Sequence, residues 1–355
     1  MMSAAVADPQ RVVVADDSRL TRRMLADALG RQGFDVVATA GDGDEALAAC
    51  REHRPDALTL DLAMPGLDGL GVLRALRTGR ERAVPVVVVS AFSPARGAHA
   101  VDALAEGAFD LVAKPTVGQP MDAFASELGR KVADAAQSGR SRRVGGHGIP
   151  ASAPAAPVTP QVAASARTGS GRLVVIASST GGPRALAQLL PALPSPLGAG
   201  VVIVQHMPPG FTASLAGRLD AASSLRVAEA AGGEPLDPSV ALLAPGGAHL
   251  RISAARRAEL SDAAPEGGLR PRADLTIDDI ARLYGARTLL VVLTGMGRDG
   301  LEGARAVRAA GGRVLVEDES TCTIYGMPRA VADAGLAHQV LPLSELPAAI
   351  AREAS

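Results

Sequence analysis

Short β-branched runs alternate with amphipathic stretches along both halves of the chain. In the first half the apolar runs are RVVVA (11–15), FDVVATA (34–40), DALTLDL (56–62), VPVVVVS (84–90) and FDLVAKP (109–115). Segments of helical period, such as 18–33 and 68–81, lie between them. Apolar runs of this length bounded by turn residues predict buried strands, and their alternation with helices predicts a parallel sheet covered on both faces. The pattern resumes in RLVVIAS (172–178), AGVVIVQH (199–206), SVALLAPGG (239–247), RTLLVVLTG (287–295) and GRVLVEDE (312–319). Between the halves, residues 138–172 hold four prolines, no acidic residue and neither period. The expected organisation is therefore two α/β domains, each a doubly wound, mostly parallel sheet, over 10–130 and 172–350. A flexible linker over 138–171 would join them.

Composition narrows the function classes. Of the 355 residues, 47% are hydrophobic, ample for two packed cores, while aromatics are only 2% and Trp is absent. Aliphatic cores follow, and base-stacking platforms for nucleic acid do not. A formal net charge of −1 supplies no field for nucleic acid or an anionic membrane. Cys50 and Cys322 have no metal-ligand spacing, which fits a reducing compartment. The opening MMSAAVADPQ is no secretory signal, and no apolar run approaches the roughly 20 residues that span a bilayer. The expectation is a cytoplasmic protein without direct membrane insertion.

Acidic residues mark the first candidate site. Asp16 and Asp17 follow the first strand, and Asp61 lies at the end of the third. Ligands of doubly wound sheets sit at the carboxyl ends of strands. Carboxylates converging there repel one another unless a hard cation bridges them, and Mg²⁺ suits oxygen donors. Ser90 ends the fourth strand and Lys114 the fifth, and Lys131 is the only other lysine of the chain. A hydroxyl, a point charge and a metal around one aspartate suit phosphoryl transfer. Separate capping or surface roles are the bland alternative for each residue singly.

Serines mark the second. In IASSTGGP, a sharp strand-to-helix turn exposing a nucleophile needs small residues two before and two after it. Ser179 has Ala177 and Gly181 there; Ser178 has Ile176 and Thr180, both β-branched. Thr180 has small flanks but a hindered hydroxyl. Pro183 suits the first turn of a following helix, whose positive end favours developing negative charge. A serine needs a base and a group to orient it. His206 closes a strand before MPPGF, Asp299 lies in LTGMGRDG after another, and His249 after APGGA competes with His206 from spacing alone.

The motifs ADDSRLTRRML, DLAMPGLDGL, VVVVSAF and LVAKPT resemble the receiver domains of response regulators. That resemblance implies a flavodoxin-like fold and phosphorylation of Asp61 by a chemotaxis-type histidine kinase. It also implies Mg²⁺ held by Asp16, Asp17, Asp61 and the carbonyl of Ala63, with Ser90 and Lys114 on the phosphoryl group. Leu111 stands where receivers often carry an aromatic residue. The motifs IASSTGG, QHMPPGFT, APGGAHL, LTGMGRDG and DESTCTIYGMPRAV resemble the catalytic domain of chemotaxis protein-glutamate methylesterases. This second resemblance implies a Rossmann-like domain without a cofactor, with Ser179, His206 and Asp299 as catalytic triad and the Met296 backbone N–H in the oxyanion hole. The implied substrate is a glutamate γ-methyl ester of a methyl-accepting chemoreceptor, and members of the family also deamidate receptor glutamine. Ala177 replaces a glycine of the family pattern, and Leu269 and Arg272 in LRPRAD replace a His and a Ser. A non-catalytic receptor adaptor and a serine esterase with another substrate are the alternatives. A DNA-binding regulator is disfavoured by the absence of a basic recognition helix.

Overall fold

A computed structural model describes residues 8–78, 84–91, 94–115, 121–144 and 171–355. The first domain is built from β1 (Arg11–Ala15), α1 (Arg19–Gly30), β2 (Asp35–Ala40), α2 (Gly43–His53), β3 (Ala57–Leu60) and α3 (Gly69–Thr78). It continues through β4 (Val86–Ser90), α4 (Pro94–Ala105), β5 (Asp110–Ala113) and α5 (Met121–Val144). The strand order is β2-β1-β3-β4-β5, all pairs parallel. The order reverses between β1 and β3, so Asp16 and Asp61 meet at the crevice the topology opens there.

α5 continues to Val144, past the Ser138 at which the sequence pattern places the start of the linker. Residues 138–144 contain no proline, and arginine is a good helix former, so nothing stops the helix there. Gly139 also lies against Pro85, 3.2 Å from where a Cβ would stand, which ties this turn to the start of β4. The remainder of the expected linker, 145–170, lies outside the described residues.

The second domain begins with β6 (Leu173–Ser178), α6 (Gly182–Leu189), β7 (Val201–Gln205), α7 (Phe211–Ala222), β8 (Arg226–Glu229) and β9 (Val240–Leu243). A hairpin of β10 (His249–Ile252) and β11 (Ala258–Ser261) follows. The rest is α8 (Ala273–Tyr284), β12 (Thr288–Val292), α9 (Leu301–Ala309), β13 (Arg313–Glu317), α10 (Met327–Asp333), β14 (Gln339–Leu341) and α11 (Leu346–Ala354). Seven strands form one parallel sheet ordered β14-β13-β12-β6-β7-β9-β8. Both faces of β6 are buried: Val174 and Ile176 join one apolar cluster, Val175 and Ala177 the other. That two-sided burial is why β6 and β12 read as unbroken apolar runs.

The two domains share a core. α4 packs against α6 and α7, and one apolar cluster runs from Val101 and Leu104 to Leu186 and Leu215. Arg218 of α7 pairs with Asp102 of α4 at its edge.

Candidate active site

β6 is the central strand, flanked by β7 and β12, and the chain order reverses beside it. Ser178 is in register with Gln205 across β6 and β7, so Ser179 and His206 each stand one residue beyond neighbouring strand ends. On the other side, Leu293 donates to Ala177 O and Ser179 donates to Thr294 O, at 2.9 and 3.0 Å. The loop after β12 then crosses to bring Asp299 to His206. Gly295 permits this crossing, because a Cβ there would stand 2.8 Å from Ser179 Cβ and 2.5 Å from Met327 Sδ.

The three hydroxyls of the turn have different fates. Ser178 is fully buried and donates to Gln205 Oε1 at 2.7 Å. Thr180 is buried and donates to Asp110 Oδ2 of the first domain at 2.5 Å. Ser179 is half-buried, two residues before Gly181, which caps α6 in the left-handed region at φ 81°.

Asp299 is held as an ionised acceptor. Its Oδ2 lies 2.8 Å from His206 Nε2 and accepts from Ala273 N at 2.7 Å; its Oδ1 accepts from Asp274 N and Gly300 N at 3.0 Å each. Burial raises this carboxyl, but the His206 hydrogen bond and charge and the Ala273 and Asp274 N–H groups outweigh it and bring it down to about 2. Since Asp299 only accepts, Nε2 of His206 carries the proton. Nδ1 is then the basic atom; it is buried and has no hydrogen-bond partner among the described residues.

Asp274 returns the favour, its Oδ1 accepting from Gly300 N and Gly303 N at 2.9 and 2.8 Å. Each aspartate thus satisfies the N-terminus of the other's helix, α8 or α9. Burial, then the neighbouring Asp299 charge, raises the Asp274 carboxyl. Arg272 closes over the pair, 3.0 Å from Asp274 Oδ2 and 3.6 Å from Asp299 Oδ1. Of the two altered residues of LRPRAD, Arg272 therefore sits against the buried carboxylates.

His249 stands in different surroundings from His206. It is fully buried on β10, outside the main sheet; its Nδ1 accepts from Arg272 N at 3.3 Å and its Nε2 faces Ala264 O at 3.2 Å. Met296 is half-buried between Gly295 and Gly297, and its Sδ lies 3.6 Å from Nη1 of Arg130 on α5.

In the first domain, Lys114 Nζ lies 2.6 Å from both Asp16 Oδ2 and Asp61 Oδ2. Asp16 and Asp61 are buried, Asp17 exposed, and ligand atoms of all three lie within 4.8 Å of one another. This all-oxygen set suits a hard divalent cation. Burial raises the Asp16 carboxyl against the pull of Lys114, a cost that a bound cation would offset. Ser90 is buried in register with Ala113, beside Lys114. Leu111 is buried in the apolar core.

Residues 174–350 match the family model described as CheB methylesterase, and residues 12–123 match the response regulator receiver domain model. A protein-glutamate methylesterase/protein-glutamine glutaminase from Symbiobacterium thermophilum is 42% identical over 99% of this chain and 99% of its own length. This chain belongs to the protein-glutamate methylesterase family. A second family member, from Thermotoga maritima, is 38% identical over 95% of this chain and 96% of its own. The crystal structure of the Thermotoga maritima CheB methylesterase catalytic domain is similar at 45% identity and TM-score 0.50, covering 52% of this chain and 98% of that one. Among the described residues, no helix is long and apolar enough to cross a membrane.

Asp299→Asn is expected to lower turnover by on the order of 10⁴. Every lone pair in use on Asp299 faces a donor, so an amide NH₂ would meet a backbone N–H on either side. The ionised carboxyl sits below its ordinary 3.8, so the stability it adds, on the order of 2 kcal/mol, is complete above about pH 5 and lost as pH falls toward 2. Denaturant melts of parent and variant should differ most above pH 5 and converge on acidification; a gap that widens toward pH 2 would refute this sign.

Proposed function

We propose that this chain is a phosphorylation-controlled serine esterase that hydrolyses glutamate γ-methyl esters of a chemoreceptor, with glutamine deamidation as a second reaction of the same site. The observation that carries it is the ionised Asp299 fixing His206 with Nδ1 free, and a half-buried Ser179 just past the end of the neighbouring strand. Ser179 Oγ attacks the ester carbonyl as Nδ1 of His206 takes its proton. Asp299 stabilises the imidazolium, and the Met296 N–H and the start of α6 favour the oxyanion. Methanol leaves with the proton from His206, and water cleaves the glutamyl-serine ester by the same route. An amide passes through the same tetrahedral geometry and releases ammonia instead. No cofactor enters these steps.

In the receiver domain, Asp16, Asp17, Asp61 and the carbonyl of Ala63 would hold Mg²⁺, which supplies charge neutralisation for phosphoryl transfer. Asp61 accepts the phosphoryl group from a chemotaxis-type histidine kinase, with Ser90 and Lys114 contacting it. A cytoplasmic location follows, because both kinase and receptor glutamates are reached there.

Occlusion couples the two domains. Asp110 holds Thr180, the residue after Ser179, and Arg130 touches Met296, so the receiver lies on both loops that carry the chemistry. Phosphorylation would favour a receiver surface that fits there less well, and tenfold activation needs only about 1.4 kcal/mol of differential affinity. Methanol release from methylated receptor, with and without a small phosphodonor, tests this. Asp61→Asn is expected to stay at basal activity, and a fragment starting at Arg172 to exceed the unphosphorylated full chain. A fragment no more active than that chain would sink occlusion.

A further inference from the structure

Gln205 ends β7 as the one polar residue of the run VVIVQ, and its side chain is buried. Its amide makes three hydrogen bonds, and all go to the turn that carries the candidate nucleophile or to the candidate base. Oε1 accepts from Ser178 Oγ at 2.7 Å; Nε2 donates to Ser179 O at 2.9 Å and to His206 O at 3.1 Å. The orientation of the amide is determined by its partners, since both atoms facing Nε2 are carbonyl oxygens and accept only. Both Nε2 hydrogens are therefore engaged, one on each residue.

We infer that Gln205 is a positioning residue for ester hydrolysis: its Nε2 locks the Ser179 and His206 backbones to each other, setting the approach of Oγ to Nδ1. This rests on the reading of Ser179 as nucleophile and His206 as base. The ladder bond from His206 N to Ser178 O, at 3.1 Å, sets the spacing of the two strands but does not itself hold the carbonyls beyond it. Those carbonyls fix the torsions from which the two reacting side chains project. Ser179 O is also held by Gly182 N at 2.8 Å, whereas among the described residues Gln205 alone bridges it to His206 O. Gly182 leaves room for the brace: a Cβ there would stand 1.9 Å from Gln205 Oε1.

The test compares the full-length parent with Gln205→Met, Gln205→Glu and Ser178→Ala, counting folded chains by circular dichroism. Gln205→Met keeps the length and removes the donors; Gln205→Glu turns an acceptor toward two carbonyls. Both should lower kcat by about 100-fold with KM within about twofold, as expected of reacting groups displaced by about 1 Å. The rate at which a fluorophosphonate labels Ser179 should fall in parallel. Ser178→Ala removes only the bond to Oε1 and should lose at most about tenfold in kcat. If the Gln205 variants unfold, Gly182→Ala applies the same displacement from the other side and should show the same kcat loss. Parent-like kcat and labelling in folded chains with a displaced or absent Gln205 amide, whatever their melting temperature, would overturn the inference. Full activity of Ser179→Ala would instead overturn the reading it rests on.

Discussion

Ser179→Ala is expected to lose turnover by on the order of 10⁶, while Ser178→Ala keeps at least about a tenth of the parent rate. The two hydroxyls are adjacent in sequence and opposite in circumstance. Ser178 is the last residue of β6, fully buried, with its Oγ committed to Gln205. Ser179 stands past the strand end, half-buried, ahead of the first turn of α6, where developing negative charge is favoured. Thr180, the third hydroxyl, is committed to Asp110. Methanol release per folded chain measures the difference. Equal losses in the two serine variants would show that the turn presents a different hydroxyl.

His206→Ala is expected to cost nearly as much as Ser179→Ala, because nucleophile and base act as one unit. His249→Ala compares the same side chain elsewhere in the domain. His249 has both ring nitrogens engaged in a fully buried site, so its loss removes support for Arg272 N at the start of α8. The expected cost there is stability, about 1–3 kcal/mol per buried group left unpaired, with turnover of the folded fraction largely kept. Thermal melts and single-turnover hydrolysis separate the two effects. An inert His206→Ala together with a dead His249→Ala would reverse the assignment.

The strands that position both sites were legible because they are buried on both faces and read as continuous apolar runs. β8, the β10–β11 hairpin and β14 were not, for local reasons. β8 and β14 are short edge strands, and the hairpin mixes His249, Arg251 and Glu259 into its pairs. The preference for Ser179 came from small flanking residues, and the same flanks allow the turn seen here. His249 could not be set aside from spacing, since its burial with both ring nitrogens engaged depends on a hairpin with no strong apolar period. Nor could sequence reveal Asp274, Thr180 or Gln205 as partners of the site. Asp274 acts through a helix terminus of another segment, Thr180 through the other domain, and Gln205 through backbone carbonyls. A polar residue closing an apolar run, as in VVIVQ, is the signal that marks such a brace.

One titration tests the central claim most directly. The full-length chain, activated by a small phosphodonor, is treated with increasing fluorophosphonate; each sample is assayed for methanol release from methylated receptor and mapped by peptide mass. The account predicts one label per chain on Ser179, with methanol release falling in proportion to labelling and reaching background at full occupancy. Methanol release that survives complete labelling of Ser179, or activity lost with the label on another residue, would contradict it.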